Sequence, residues 1–215
     1  MKHKEHIDLS IKLETGEDLI KRAALMVGEA FIQDATPHTL ELWKAVRPEN
    51  RAKRYGKVFS ITLNQKNKNI LIAWDKDTIV GCLCFYPSKY TQLSLRQRMK
   101  MIVPFLIASG KSFFNFLKLQ ALTESLLPDG DFLHLGPIAV KPSYQSKGVG
   151  SQLMKTFISI AEKEQQAVFL HTGKERNLTF YERFGFRLSE KSSFLGAPIW
   201  AMIRGINQPY SSKEC

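Results

Sequence analysis

The stretch Phe132-Leu133-His134-Leu135-Gly136-Pro137-Ile138-Ala139-Val140 runs through Lys141-Pro142 into Gln145-Ser146-Lys147-Gly148-Val149-Gly150. Its first nine residues read as a strand, yet Pro137 has no amide hydrogen to give to a ladder. The strand is therefore expected to be bulged or poorly paired at that point. After the loop, Val149, Leu153, Phe157 and Ile160 recur at helical spacing on one side, with Gln152, Lys155, Ser159 and Glu162 on the other. Ala167–Thr172 then reads as a second strand. Strand, loop, helix and strand in that order imply a parallel pair joined by a right-handed crossover.

The loop itself has the chemistry of an anion seat. The first amides of a helix lack intrahelical partners and lie at the positive end of its dipole. Glycines at 148 and 150 let a ligand approach the backbone without meeting a Cβ. Six residues alone also fit a glycine-bearing turn with no ligand. Two familiar phosphate loops are excluded. A nucleotide triphosphate loop has a longer glycine gap and Lys-Ser/Thr after its second glycine, whereas Lys147 precedes Gly148 and Ser151 follows Gly150. A dinucleotide fingerprint has a third glycine where this chain has Leu153.

The run Gln145 to Gly150 resembles the Q/R-x-x-G-x-G/A acetyl-CoA loop of the GNAT (Gcn5-related) acetyltransferases. Asn177-Leu178-Thr179-Phe180-Tyr181-Glu182-Arg183-Phe184-Gly185-Phe186 is similar to the Asn…Tyr…Gly-Phe block of the same family. The two stand in family order with a helix and a strand between them. Residues 132–204 carry the resemblance, residues 7–87 agree in element order, and residues 88–128 read as a helical insertion. Within the family, Arg176-Asn177-Leu178 and Phe180-Tyr181-Glu182-Arg183 look puromycin N-acetyltransferase-like.

The resemblance implies one α/β (α+β) domain over residues 1–215, with a mixed central sheet, a splayed parallel strand pair and helices on both faces. It implies acetyl-CoA as donor and an amine as acceptor, with direct attack and no covalent enzyme intermediate. A small-molecule amine is favoured; a protein or peptide acceptor, or a non-catalytic acyl-CoA sensor, are the alternatives. Backbone groups of Ile138, Ala139 and Val140 would pair with the pantetheine arm. Amides of Gln145, Ser146, Lys147, Gly148, Val149 and Gly150 would take the pyrophosphate, and Asn177 would lie along the cofactor. Tyr181 has the position of the general acid; a phenol with a pKa near 10 suits protonation of a departing thiolate. Tyr181 also fits a core aromatic beside Phe180 and Phe184.

The base is read from the residues. Alternation puts His134 on the strand face of Gly136 and Ile138, within reach of the slot. His171 stands where relatives of the subfamily often have glutamate. Either also fits a packing histidine. Phe31, Asp34 and Trp43, with the 88–128 insertion, are expected to build the acceptor pocket.

Earlier in the chain, Ile7, Leu9, Ile11 and Leu13 alternate as a half-buried strand. Thr15 with Asp18 resembles a capping box opening a helix that carries Leu19, Met26, Val27 and Ala30 on one side. Thr36-Pro37 marks a second helix start, with Leu40, Trp43 and Val46 as its stripe. Residues 49–63 have helical spacing weakened by Gly56, and residues 58–63 also fit a strand; the helix is preferred. Residues 69–74 and 78–86 read as a hairpin about Asp75-Lys76-Asp77. A short helix is expected over 178–184, and closing strands near 186–189 and 198–204.

The formal charge is +11 over 215 residues. No basic run is interleaved with aromatics, so nucleic acid is not expected as a partner, and an anionic small ligand suits the basic surface. The apolar passage 101–110 meets Lys111 short of a membrane span. No membrane partner is expected. Cys82, Cys84 and Cys215 show neither a disulfide framework nor a metal pattern, which fits a reducing cytoplasm. The oligomeric expectation is a monomer or homodimer.

Overall fold

The computed structural model describes residues 8–14, 16–63, 69–90 and 95–206. In chain order these form β1 (Leu9–Glu14), α1 (Glu17–Gln33), α2 (Pro37–Leu42), α3 (Pro48–Leu63), β2 (Asn69–Asp75) and β3 (Thr78–Pro87). There follow α4 (Leu95–Ser109), α5 (Phe113–Ser125), β4 (Phe132–Val140), α6 (Val149–Lys163), β5 (Ala167–Thr172), α7 (Arg176–Glu182), β6 (Arg187–Phe194) and β7 (Ala197–Arg204). The strands make one sheet in the order β1-β2-β3-β4-β5-β7-β6. Every neighbouring pair is antiparallel except β4 and β5, which are parallel with α6 as the crossover.

Alternation sorts the strand residues onto two faces. Leu71, Leu83, Phe85, Leu133, Leu135, Val168, Leu170 and Met202 pack with Val149, Leu153, Phe157 and Ala161 of α6. Phe85 and Phe157 meet with ring centroids 4.9 Å apart. Ile70, Ile72, Cys82, Cys84 and Ala139 instead meet Ala23, Met26, Val27 and Ala30 of α1. Each fully buried leucine or phenylalanine here contributes about 1.5–3 kcal/mol, so the two stripes hold the helices to the sheet.

Gly56, which weakens α3 as an isolated helix, is where α1 and α3 cross. A Cβ on Gly56 would lie 2.9 Å from Ala24 O, and one on Gly28 would run into Ala52 O and Gly56 N. The local cost of glycine is offset by a backbone approach that no other residue permits.

The helix starts are mixed. Thr36 caps α2, accepting from the Thr39 amide at 3.2 Å, as its sequence predicts. Gly16 stands at the cap of α1 with no side-chain bond; Thr15, and with it the expected capping box, lies outside the described residues, as do Ile7 and Cys215. On α2, Leu40 is exposed and Leu42 is buried with Trp43. This short helix turns the stripe by one step toward the cluster formed by Phe132, Phe169 and Ala201. The helix expected over 178–184 begins two residues earlier, at Arg176, and β6 continues to Phe194.

Residues 88–125 carry α4 and α5. Ala108, Phe113 and Leu126 are buried against Leu42 and Trp43, with Phe105, Phe116, Leu119 and Leu122 beside them. Lys111 does not end the apolar character: Ile102–Ser125 is long and apolar enough to cross a membrane by length and composition. The chain breaks its helix there through Gly110 at φ +56.

Candidate active site

Gly136 and Pro137 together face the single residue Cys84, because Leu83 pairs with Ile138 while Phe85 pairs with Leu135. The missing proline amide makes β4 bulge as expected. The bulge has a second effect that simple alternation misses. One extra residue moves Ile138 and Val140 onto the face of Leu133 and Leu135, toward α6, and Ala139 onto the α1 face. His134 and Ile138 therefore point to opposite faces, contrary to the alternation reading.

Among the described residues, β4 and β5 pair only through Phe132↔Ala167, Leu133↔Val168 and His134↔Phe169. Beyond His134 the β5-side edge of β4 runs on without ladder partners from β5. Backbone groups in that position are open to an extended ligand arm. Ile138, Ala139 and Val140 lie on this stretch.

The strand delivers the chain to the loop. A single helical turn at Pro142–Tyr144 leads to Gln145; Ser146 then takes φ +58 and Gly148 φ +82 before α6 begins at Val149. Tyr144 donates its hydroxyl to Asp75 Oδ2 at 2.8 Å, tying the loop to the β2–β3 turn. Gln145 Nε2 donates to Val140 O at 3.2 Å, closing the loop onto the strand end. Val140, Gln145, Ser146, Gly148, Val149 and Gly150 line one cavity of about 250 Å³, with Tyr144, Ser151, Phe180 and Arg183. A Cβ on Gly148 would meet nothing within 4 Å. This is a cradle at a helix N-terminus with room for an anionic group.

Arg183 carries no local sign of a role at the loop in the sequence. Its guanidinium lies 5.5 Å from the centre of the Phe180 ring, and it lines the same cavity. Lys147 is not in the lining; its ammonium sits 5.3 Å from the Tyr144 ring centre. Asn177, at the start of α7, donates to Thr172 Oγ1 at 3.2 Å and fixes the helix to the end of β5.

Tyr181 is buried on the α6 side, against Phe180 at 5.3 Å and Phe186 at 5.8 Å between ring centres. Burial raises its pKa well above that of a free phenol. It holds its proton at every physiological pH.

On the other face stands a row of histidines. The His134 ring is 4.9 Å from Tyr86, 5.3 Å from Phe169 and 5.6 Å from His171. His38 of α2 lies over Gly173 and leaves no room for a Cβ there. Among the described residues, neither His38 Nδ1 nor His171 Nδ1 has a hydrogen-bond partner, and no group of three or more His, Cys, Asp or Glu side chains is placed to hold a metal ion. Asp34, at the end of α1, accepts from Lys174 at 2.5 Å and also from Arg176. Burial alone would raise its pKa, but the hydrogen bonds and charges of Lys174 and Arg176 hold it below the ordinary carboxylate value. Trp43 is no pocket wall. It is fully buried against Tyr55 and Phe116.

Burial, and then the charge of His38, push His171 from the ordinary 6.5 down to about 4. His38 is lowered too, by burial. A histidine whose folded-state pKa is depressed takes up fewer protons than in the unfolded chain. Its contribution is present above pH 6.5 and is lost as pH falls through about 4. Unfolding free energy should drop by up to about 3 kcal/mol across that window because of His171. Denaturant titrations at successive pH values measure it, and His171→Leu should flatten the slope. A variant as acid-sensitive as the parent would place the sensitivity elsewhere.

The sequence profile of the acetyltransferase (GNAT) family matches residues 29–186. Among solved structures, the chain is similar to the histone acetyltransferase HPA2 and related acetyltransferase from Corynebacterium glutamicum. That match has a TM-score of 0.66 at 20% identity and covers 94% of this chain and 98% of that one. It is also similar to arylalkylamine N-acetyltransferase 2 from Aedes aegypti, with a TM-score of 0.65 at 11% identity over 93% of this chain and 100% of that one. A third likeness is to the polyamine N-acetyltransferase of Drosophila melanogaster, which forms N-acetylagmatine. Its TM-score is 0.60 at 12% identity, over 93% of this chain and 100% of that one.

Proposed function

The chain belongs to the acetyltransferase (GNAT) family, and from that premise we propose that it transfers an acetyl group from acetyl-CoA to a primary amine of a small molecule. The observation that carries this reading is that the β4 edge left by β5 ends at the loop cavity, whose wall includes Phe180 and Arg183 on either side of Tyr181 in the chain. Tyr181 itself is buried between those two residues on α7.

The residues fit the donor. Backbone groups of Ile138, Ala139 and Val140 hold the pantetheine arm, and the loop from Gln145 to Gly150 holds the pyrophosphate. Arg183 adds charge at the cavity wall. Asn177 orders the start of α7, so that Tyr181 is presented to the slot. When bound, acetyl-CoA supplies an already activated thioester, so positioning accounts for much of the rate. Tyr181 gives its phenolic proton to the departing sulfur.

The acceptor enters from the opposite face, where Phe31, Asp34 and the histidine row lie, with residues 88–128 as the inserted wall. His134 takes the proton that the acceptor nitrogen loses as the neutral amine attacks the thioester carbonyl, and His171 and His38 continue the row outward. The small-amine preference rests on two of the compared structures, which are enzymes for polyamines and arylalkylamines.

The test is an incubation of the full chain with acetyl-CoA and a panel of small amines and peptides, following free thiol. Amine-dependent thiol release is expected with small amines. Release with peptides only moves the acceptor to proteins; tight acetyl-CoA binding without any release makes the chain a sensor. In the same assay, an unchanged pH profile for His134→Ala removes it as the base.

A further inference from the structure

The part of the molecule that neither the core nor the active site uses is the outer face of α4 and α5. Ile102, Val103, Leu106, Ile107, Phe114 and Leu117 are all exposed there, Ile107 by 73% and Phe114 by 70%. Scattered apolar residues on a surface need no explanation, but six large ones on two successive helices do. The inner faces of the same helices are fixed to the protein by Ala108, Phe113, Phe116 and Leu122. The outer stripe is thus not a core awaiting a different fold.

Charge says what covers it. No Asp or Glu occurs between Asp77 and Glu124, while Lys89, Arg96, Arg98, Lys100, Lys111 and Lys118 all fall in that interval. Lys111 lies at the junction of the two helices and Lys118 lies in α5 beside Leu117, and both are exposed. A protein partner that buries isoleucine and phenylalanine is uncharged at its centre, and a small anionic ligand needs no apolar stripe. An apolar stripe flanked by Lys111 and Lys118, on helices whose one acidic residue is Glu124 near the end of α5, matches the boundary layer of a bilayer whose headgroups are anionic.

We propose that α4 and α5 form a peripheral docking face for anionic phospholipid membranes. Ile107, Phe114 and Leu117 enter the acyl boundary, and Lys111 and Lys118 meet the headgroup phosphates. The helices lie in the surface plane and do not cross it, because their opposite faces stay on the core. The protein then works at a membrane surface, contrary to the expectation that it has no membrane partner.

Co-sedimentation of the full chain with phosphatidylcholine vesicles, with and without phosphatidylglycerol, tests this. Binding is expected only with phosphatidylglycerol present, and it should weaken as salt is raised. The double variant I107S/F114S should lower the partition coefficient by about tenfold or more, and K111E/K118E by about tenfold. All four positions are exposed, and retained acetyl-CoA binding verifies that the variants are folded. Four results would overturn the proposal. One is no binding to either vesicle at low salt, and another is binding unaffected by both double variants. The third is a dimer in solution that dissociates on I107S/F114S, which would assign the face to a second copy of the chain. Resistance to extraction by high salt and alkaline carbonate would replace docking with insertion.

Discussion

Tyr181→Phe should lower kcat by about 10²–10³-fold while leaving acetyl-CoA affinity within about threefold of the parent. The change removes one oxygen from a buried ring and keeps the ring. Its packing against Phe180 and Phe186 is preserved. So are the backbone bonds from the Phe184 and Phe186 amides to Tyr181 O, at 2.9 and 3.3 Å. Because burial raises the phenol pKa, Tyr181 stays protonated across the working range, and an alkaline fall in rate below pH 10 would come from another group. A departing thiolate that finds no donor must leave as the anion or wait for water, and that penalty falls on the chemical step alone. Single-turnover rates and isothermal titration with acetyl-CoA separate the two effects. Unchanged kcat would return Tyr181 to the core as an aromatic with no catalytic part. Equal losses in kcat and affinity would instead mean that α7 has moved.

What could be read in advance from the chain follows a physical division. The loop, the proline in β4, the helix after it and the β2–β3 hairpin are written in local chemistry: missing amides, positive φ and periodicity. Features that depend on what lies opposite were not legible. The bulge at Gly136-Pro137 was expected, yet its transfer of Ile138 to the α6 face becomes definite only once Cys84 is known to face both residues. Gly28 and Gly56 look like weak helix positions until α1 and α3 are crossed. Arg204 ends a strand and would be taken for a solvent-facing charge. It is fully buried, donating to Phe184 O at 2.9 Å and pairing with Glu162 at 2.6 Å, so that it locks α6 to the end of α7. Trp43 reads equally well as pocket or core, and only its partners Tyr55 and Phe116 decide it. Arg183 reaches the loop cavity because the end of α7 meets the start of α6, where Phe180 stands against Gly150, a tertiary fact with no local signature.

Gly148→Val should raise the acetyl-CoA dissociation constant by about a hundredfold or more, and the reason can be divided into two separable parts. Gly148 has φ +82 at the cap of α6, a region that costs a residue bearing a Cβ about 1–2 kcal/mol and a β-branched one more. That part appears as lost stability. The other part is occupancy: Gly148 lines the loop cavity and its Cβ position touches no protein atom within 4 Å, so the added side chain is expected to take space that the proposed anion would fill. Gly148→Asn distinguishes them, because asparagine tolerates the left-handed region while still filling the space. Its melting temperature should stay near that of the parent, yet its affinity should fall almost as far as that of the valine variant. Gly150→Ala is the complementary control. Its Cβ would rest 3.6 Å from Val140 Cγ2 and 3.9 Å from Phe180 Cζ, ordinary contacts with two residues of the cavity wall, so a single methyl packs against the wall and binding should change little. If Gly148→Asn binds acetyl-CoA as the parent does while Gly150→Ala does not, the seat lies at the second glycine. If neither variant changes affinity, the loop is a turn and the phosphates are held elsewhere, with Arg183 the next residue to remove.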